Sequence, residues 1–125
     1  LGIADKVVFT GRVERERIYD HLKAGDLFVC ASKTETQGLV VSEAKACGKA
    51  AVGINAQGVG RMIEHDIDGL LVPDDRQAFV TATLSLINDR QKLAQLSAGA
   101  LKNAREKYFT SAITKRLVAL YNSLR

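Results

Sequence analysis

The chain has 125 residues, enough for one domain that buries roughly two-thirds of the surface its unfolded form exposes. An apolar fraction of 46% and a charged fraction of 26% place it with soluble globular proteins and against disordered or fibrous ones, and no apolar run approaches the ~20 residues of a membrane span. The net charge of +4 divides unevenly, with −3 on residues 1–89 and +7 on residues 90–125.

In chain order, the opening "LGIADK" lacks the basic-then-apolar order of a signal peptide, and its missing methionine fits a piece of something longer. "VVFTG", residues 7–11, is short, apolar and β-branched and ends in glycine, which predicts a strand. "ERERIYDHLKAGD" predicts a helix with Ile18, Tyr19 and Leu22 on one face and Gly25 as its stop. "LFVCAS", residues 27–32, is continuously apolar, as expected of a strand buried on both faces. After the polar loop "KTETQ", the stretch "LVVSEAKAC" predicts a helix with Val40, Val41, Ala44 and Cys47 as its apolar stripe and Gly48 as an αL cap. "AAVGI", residues 50–54, predicts a third strand. Gly58 and Gly60 open a loop before a short helix at "RMIEH", and "DGLLVPDD" reads as a turn and a short fourth strand.

The remainder predicts helices. Residues 76–88 would turn Phe79, Val80, Thr83, Leu84 and Ile87 inward. Residues 90–108 would do the same with Leu93, Leu96, Leu101 and Ala104. A last helix, capped by Thr110 or Ser111, aligns Ile113, Leu117, Leu120, Tyr121 and Leu124. The basic residues of this tail fall between apolar positions at helical spacing without interleaved aromatics, so a solvated helix face explains them better than a nucleic-acid or membrane patch. Cys30 and Cys47 have no CxxC spacing and fit buried free thiols in a reducing, cytoplasmic compartment. His21 and His65 have no partners at metal-ligand spacing.

Strands alternating with helices imply βαβ crossovers: an α/β fold, three layers deep, with a parallel sheet of about four strands followed by C-terminal helices. Ligands of such sheets bind beyond the carboxyl ends of the strands, here Gly11-Arg12-Val13, Ser32 to Gly38, and Asn55 to Gly60. "TETQGLVVSEA", residues 34–44, lies in that place. A glycine opening a helix lets a ligand approach the first amides, which lack internal partners and carry the positive end of the helix dipole. The N–H groups of Gly38, Leu39 and Val40 could cradle a phosphate there. Glu35 before it and Glu43 inside the helix would repel phosphate but accept hydrogen bonds from hydroxyls on either side, which suits a sugar–diphosphate–ribose. A loop charge at Glu35 and a solvated helix residue at Glu43 would give the same spacing.

These residues resemble a signature of known enzymes. The pattern S-x-x-E-x-x-G-L-x-x-x-E-A-x-A-x-G is present as Ser32, Glu35, Gly38, Leu39, Glu43, Ala44, Ala46 and Gly48. It resembles the retaining, nucleotide-sugar-dependent glycosyltransferases of the two-domain GT-B fold, group 1, fourth family, in their C-terminal donor-binding domain. "VVFTGRV", "AGDLFVCAS", "DGLLVPDD" and the terminal helices are similar to further parts of that domain in the same order, across essentially all 125 residues.

The resemblance implies transfer of a sugar from a nucleoside diphosphate to an acceptor hydroxyl with retention, and a Rossmann-like fold. Glu43 would bind the ribose and Glu35 the donor sugar near the reacting carbon. Gly38, Leu39 and Val40 would hold the sugar and diphosphate, Ser32 would border the site, and backbone around Arg12 and Val13 would meet the base. The donor would be the only small molecule needed, with no cofactor and no metal. A glycan or lipid acceptor would be bound by an N-terminal domain that these residues do not include, with the parent at the inner face of a membrane and no nucleic acid involved.

Gln37 stands where the family has an aromatic residue, Lys49-Ala50 lacks a common proline, and Arg61 replaces a frequent glutamate. The unit carrying the family's diphosphate-clamping Arg and Lys has no counterpart here. The chain therefore corresponds to the later part of the donor domain, expected to be inactive alone and to pair through "VVFT" as an open edge. A nucleotide- or phosphate-binding module without turnover, and a sugar-nucleotide epimerase of the same fold, are the alternatives.

Overall fold

A computed structural model describes residues 2–124. Three strands, β1 (Phe28–Cys30), β2 (Ala51–Ile54) and β3 (Gly69–Val72), form a parallel sheet in the order β1-β2-β3. Val29 faces Val52 across the first pair, and Val52 faces Leu70 across the second. Helix α1 (Arg15–Ala24) precedes β1, α2 (Leu39–Ala46) links β1 to β2, and a single 3-10 turn at Val59–Arg61 lies between β2 and β3. Helices α3 (Arg76–Asn88), α4 (Arg90–Lys107) and α5 (Thr110–Ser123) follow.

Alternation along β2 builds the two cores. Val52 points to one face, where Ala50, Leu70, Leu86, Leu93 and Leu96 close around it. Ala51 points to the other, against Val41, Val59 and Ile63. All four residues of β2 are buried, as a central parallel strand requires. Asp75 caps α3 by accepting from the Ala78 N–H at 2.7 Å, and Asp89 caps α4 by accepting from the Lys92 N–H at 2.9 Å. Gly48, at φ 71°, ends α2 in the expected left-handed conformation.

Several expectations need correction. Residues 7–11 form no strand, and Val8 and Phe9 are almost fully exposed, because among the described residues no neighbouring strand offers them a ladder. β1 is an edge strand, so Val29 is 47% exposed rather than covered on both faces. The short helix expected at 61–65 is the 3-10 turn at Val59–Arg61, two residues earlier. Helix α3 is rotated from its expected orientation. Leu86 is its buried residue, with Phe79, Ala82 and Thr83 partly covered, while Val80, Leu84 and Ile87 are exposed. The aligned apolar row of α5 exists, but none of its residues is buried. Cys30 and Cys47 are free and only partly buried.

Candidate functional site at the head of helix α2

Gly38 is the N-cap of α2 at φ 70°, which a side chain rarely adopts. A Cβ added there would collide with Met62 Cγ and stand 3.0 Å from the Gly58 carbonyl oxygen. Gly58 is equally constrained, since a Cβ there would strike the Glu35 carbonyl. The two glycines let residues 58–62 lie directly on the Glu35–Gly38 turn.

Glu35 meets this turn with its own carboxylate. The N–H groups of Gln37 and Gly38 donate to Glu35 Oε1 at 3.1 and 3.0 Å. Hydrogen bonds from the Gly38 and Gln37 amides hold the carboxyl below the ordinary glutamate range. The expected free amide at Gly38 is therefore taken by Glu35, because a helix N-terminus attracts the nearest anion. Both bonds end on Oε1. Among the described residues no donor meets Oε2, and no acceptor meets the amides of Leu39 or Val40.

Glu43, one turn inside α2, faces a cleft of ≈ 780 Å³ that it shares with Arg12, Val13, Glu14 and α1 residues including Ile18. The fold thus brings Glu43 to the segment expected to meet the base, although Arg12 and Val13 lie on irregular chain rather than at the end of a strand. Ser32 is half-buried just beyond β1, and Leu39 is exposed at the first turn of α2. Beyond them, Lys33 and Asp74 pair across the strand ends at 2.9 Å. Arg61 is exposed, and the partners of Glu64 are Lys107 and Asn103. The Lys107 hydrogen bond is the main cause of a lowered Glu64 pKa and a raised Lys107 pKa.

Sequence reasoning missed Lys45. Its side chain is fully buried, and its ammonium donates to Met62 O at 2.7 Å, Asp68 Oδ2 at 2.6 Å and Asn103 Oδ1 at 2.9 Å. It also lies 5.4 Å from the Tyr108 ring centroid. Burial lowers its pKa against the opposing pull of Asp68. The available signal was its i+4 spacing from Val41, which puts a lysine on the covered face of α2. Among the described residues no group of three His, Cys, Asp or Glu side chains could hold a metal ion, and no helix is long and apolar enough to cross a membrane.

The model of the family "Glycosyl transferases group 1" matches residues 1–105. D-inositol 3-phosphate glycosyltransferase of Thermobispora bispora is 34% identical over 122 residues, which are 97% of this chain and 28% of that protein. HepE of Anabaena, solved in complex with UDP, superposes with a TM-score of 0.81 at 27% identity, covering 98% of this chain and 34% of that one. Sucrose-phosphate synthase of Thermosynechococcus elongatus superposes with a TM-score of 0.85 at 27% identity, covering 98% and 31%. The chain spans about a third or less of each of these proteins. With its parallel Rossmann-like sheet, C-terminal helices and match over residues 1–105, the chain belongs to the group 1 glycosyltransferases of the GT-B fold.

Proposed function

We propose that these 125 residues are the later part of the donor-binding domain of a retaining glycosyltransferase, which moves a sugar from a nucleoside-diphosphate sugar to an acceptor hydroxyl on a glycan or lipid. The observation that carries this reading is the shared cleft of Glu43 with Arg12 and Val13, at the helix whose head holds Glu35 and the open amides of Leu39 and Val40. Glu43 accepts hydrogen bonds from the ribose, with the base against Arg12–Val13. Leu39 and Val40 donate to the diphosphate. Glu35, oriented through Oε1 by the Gln37 and Gly38 amides, offers Oε2 to hydroxyls of the donor sugar, and Ser32 borders the same pocket.

Retention without a protein nucleophile places the chemical demand on the leaving group. As the glycosidic bond breaks, negative charge grows on the diphosphate, and fixed amides at a helix N-terminus stabilise it without reorganising. The departing phosphate takes the acceptor proton on the same face. This scheme assigns the charge stabilisation to amides rather than to a metal ion. UDP in HepE, a relative at 27% identity, supports a nucleoside diphosphate as the occupant.

The test is sugar transfer by the native full-length protein from a panel of nucleotide sugars. Transfer from at least one donor, with loss in Glu35→Ala and retained nucleotide binding in that variant, is expected. Nucleotide binding without turnover from any donor would make the protein a binding module instead.

A further inference from the structure

Lys45 is the largest fully buried side chain among the described residues, and it lies outside the cleft assigned to the donor. It stands two positions after Glu43, which turns it to the other side of α2. All three of its protons are used, two on the 62–68 loop and one on α4. One reaches Met62 O, one the Asp68 carboxylate, and one Asn103 of α4. Asp68, also fully buried, accepts through its other oxygen from the Glu64 N–H at 2.8 Å, so residues 62–68 close into a ring around the ammonium. Asn103 in turn donates to Glu64 Oε1 at 3.1 Å.

Met62 joins this network to the donor site. Its backbone is held by Lys45, while its Cγ lies over Gly38, in the space a Cβ there would need. Gly58, four residues earlier in the same loop, rests on the Glu35 carbonyl. A shift of the 58–62 loop therefore moves the turn that orients Glu35 and starts α2. A buried ion pair gains little stability over well-packed apolar side chains, so its distinctive contribution is fixed geometry.

We propose that Lys45 is a positioning residue for the diphosphate end of the site: by pinning the Met62 carbonyl against Asp68 and Asn103, it sets the loop that holds the Glu35–Gly38 turn and the α2 amides in register. Glu43 and the Arg12–Val13 segment lie on the opposite side of α2 and do not depend on that pin. The inference rests on the donor-site reading given above.

The two ends can be separated with ligands that differ only in phosphate. UDP and uridine are titrated by calorimetry into the native full-length protein and its Lys45→Met variant, with the adenosine and guanosine pairs run beside them. Lys45→Met should raise the Kd of the diphosphate about tenfold and leave that of the nucleoside within about twofold. Should Lys45→Met not fold, Asp68→Asn carries the test, with about a fivefold selective loss, because Lys45 and the Glu64 N–H meet different oxygens of Asp68 and the amide turns one of them into a donor. Equal weakening of diphosphate and nucleoside, or no change in either, overturns the positioning role. A wild-type protein that binds none of the diphosphates overturns the donor-site reading itself.

Discussion

Glu35 and Glu43 are both carboxylates on or beside one short helix, yet their surroundings differ. Glu35 is fixed by two amides of its own turn, whereas Glu43 is half-buried on the wall of a cleft. Removing Glu43 as Glu43→Ala should weaken nucleotide binding about tenfold, measured as Kd by calorimetry, through lost hydrogen bonds to the ribose. For Glu35 the expected signature is in pH. Its folded pKa is lowered, so the cap on Gln37 and Gly38 is complete above the ordinary glutamate range and is lost as pH falls through the lowered value. The Gly38 amide proton, followed by NMR, should titrate with a midpoint below that range; a midpoint at or above it would show that the cap does not form. That Glu35 precedes the head of α2 and Glu43 lies inside it was legible in the sequence, because Gly38 marks the helix start. The capture of the Gly38 amide by Glu35 was not, since it depends on how residues 35–38 turn. Lys45 was equally hidden, because its three partners are 17, 23 and 58 residues away.

At the scale of elements, period and punctuation located helices α1, α2, α3, α4 and α5 and strands β1, β2 and β3, with stop signals at Gly25 and Gly48. What failed depended on neighbours. "VVFTG" has the composition of a strand, but strands exist as ladders, and among the described residues no partner lies beside it. In α3 a broad apolar surface allowed more than one inward face, and packing against α4 and β2 selected Leu86. Truncating Leu86 as Leu86→Ala should cost about 2–5 kcal/mol in denaturant unfolding, while Leu84→Ala should cost under about 1 kcal/mol. Equal costs would contradict this orientation of the helix. The turn at Gly38 is similarly exacting. Gly38→Ala forces a side chain into φ 70° and against Met62, and should lower stability by about 1–3 kcal/mol and disturb nucleotide binding with it.

Across the whole molecule, the sheet ends at β1 with an unpaired outer edge, and Val8, Phe9 and the apolar row of α5 are exposed. The 125 residues produced by themselves are expected to self-associate, with light scattering showing mass rising with concentration. A monomer at every dilution would argue against an adhesive edge. The family was legible from the pattern of residues 32–48, and the group 1 family model matches residues 1–105. The most direct test of the donor site is a crystal structure of the native full-length protein with UDP. The ribose hydroxyls should lie within hydrogen-bond distance of the Glu43 carboxylate, with the phosphates over the Leu39 and Val40 amides. A nucleotide bound away from α2, or one whose phosphates turn from its N-terminus, would contradict it.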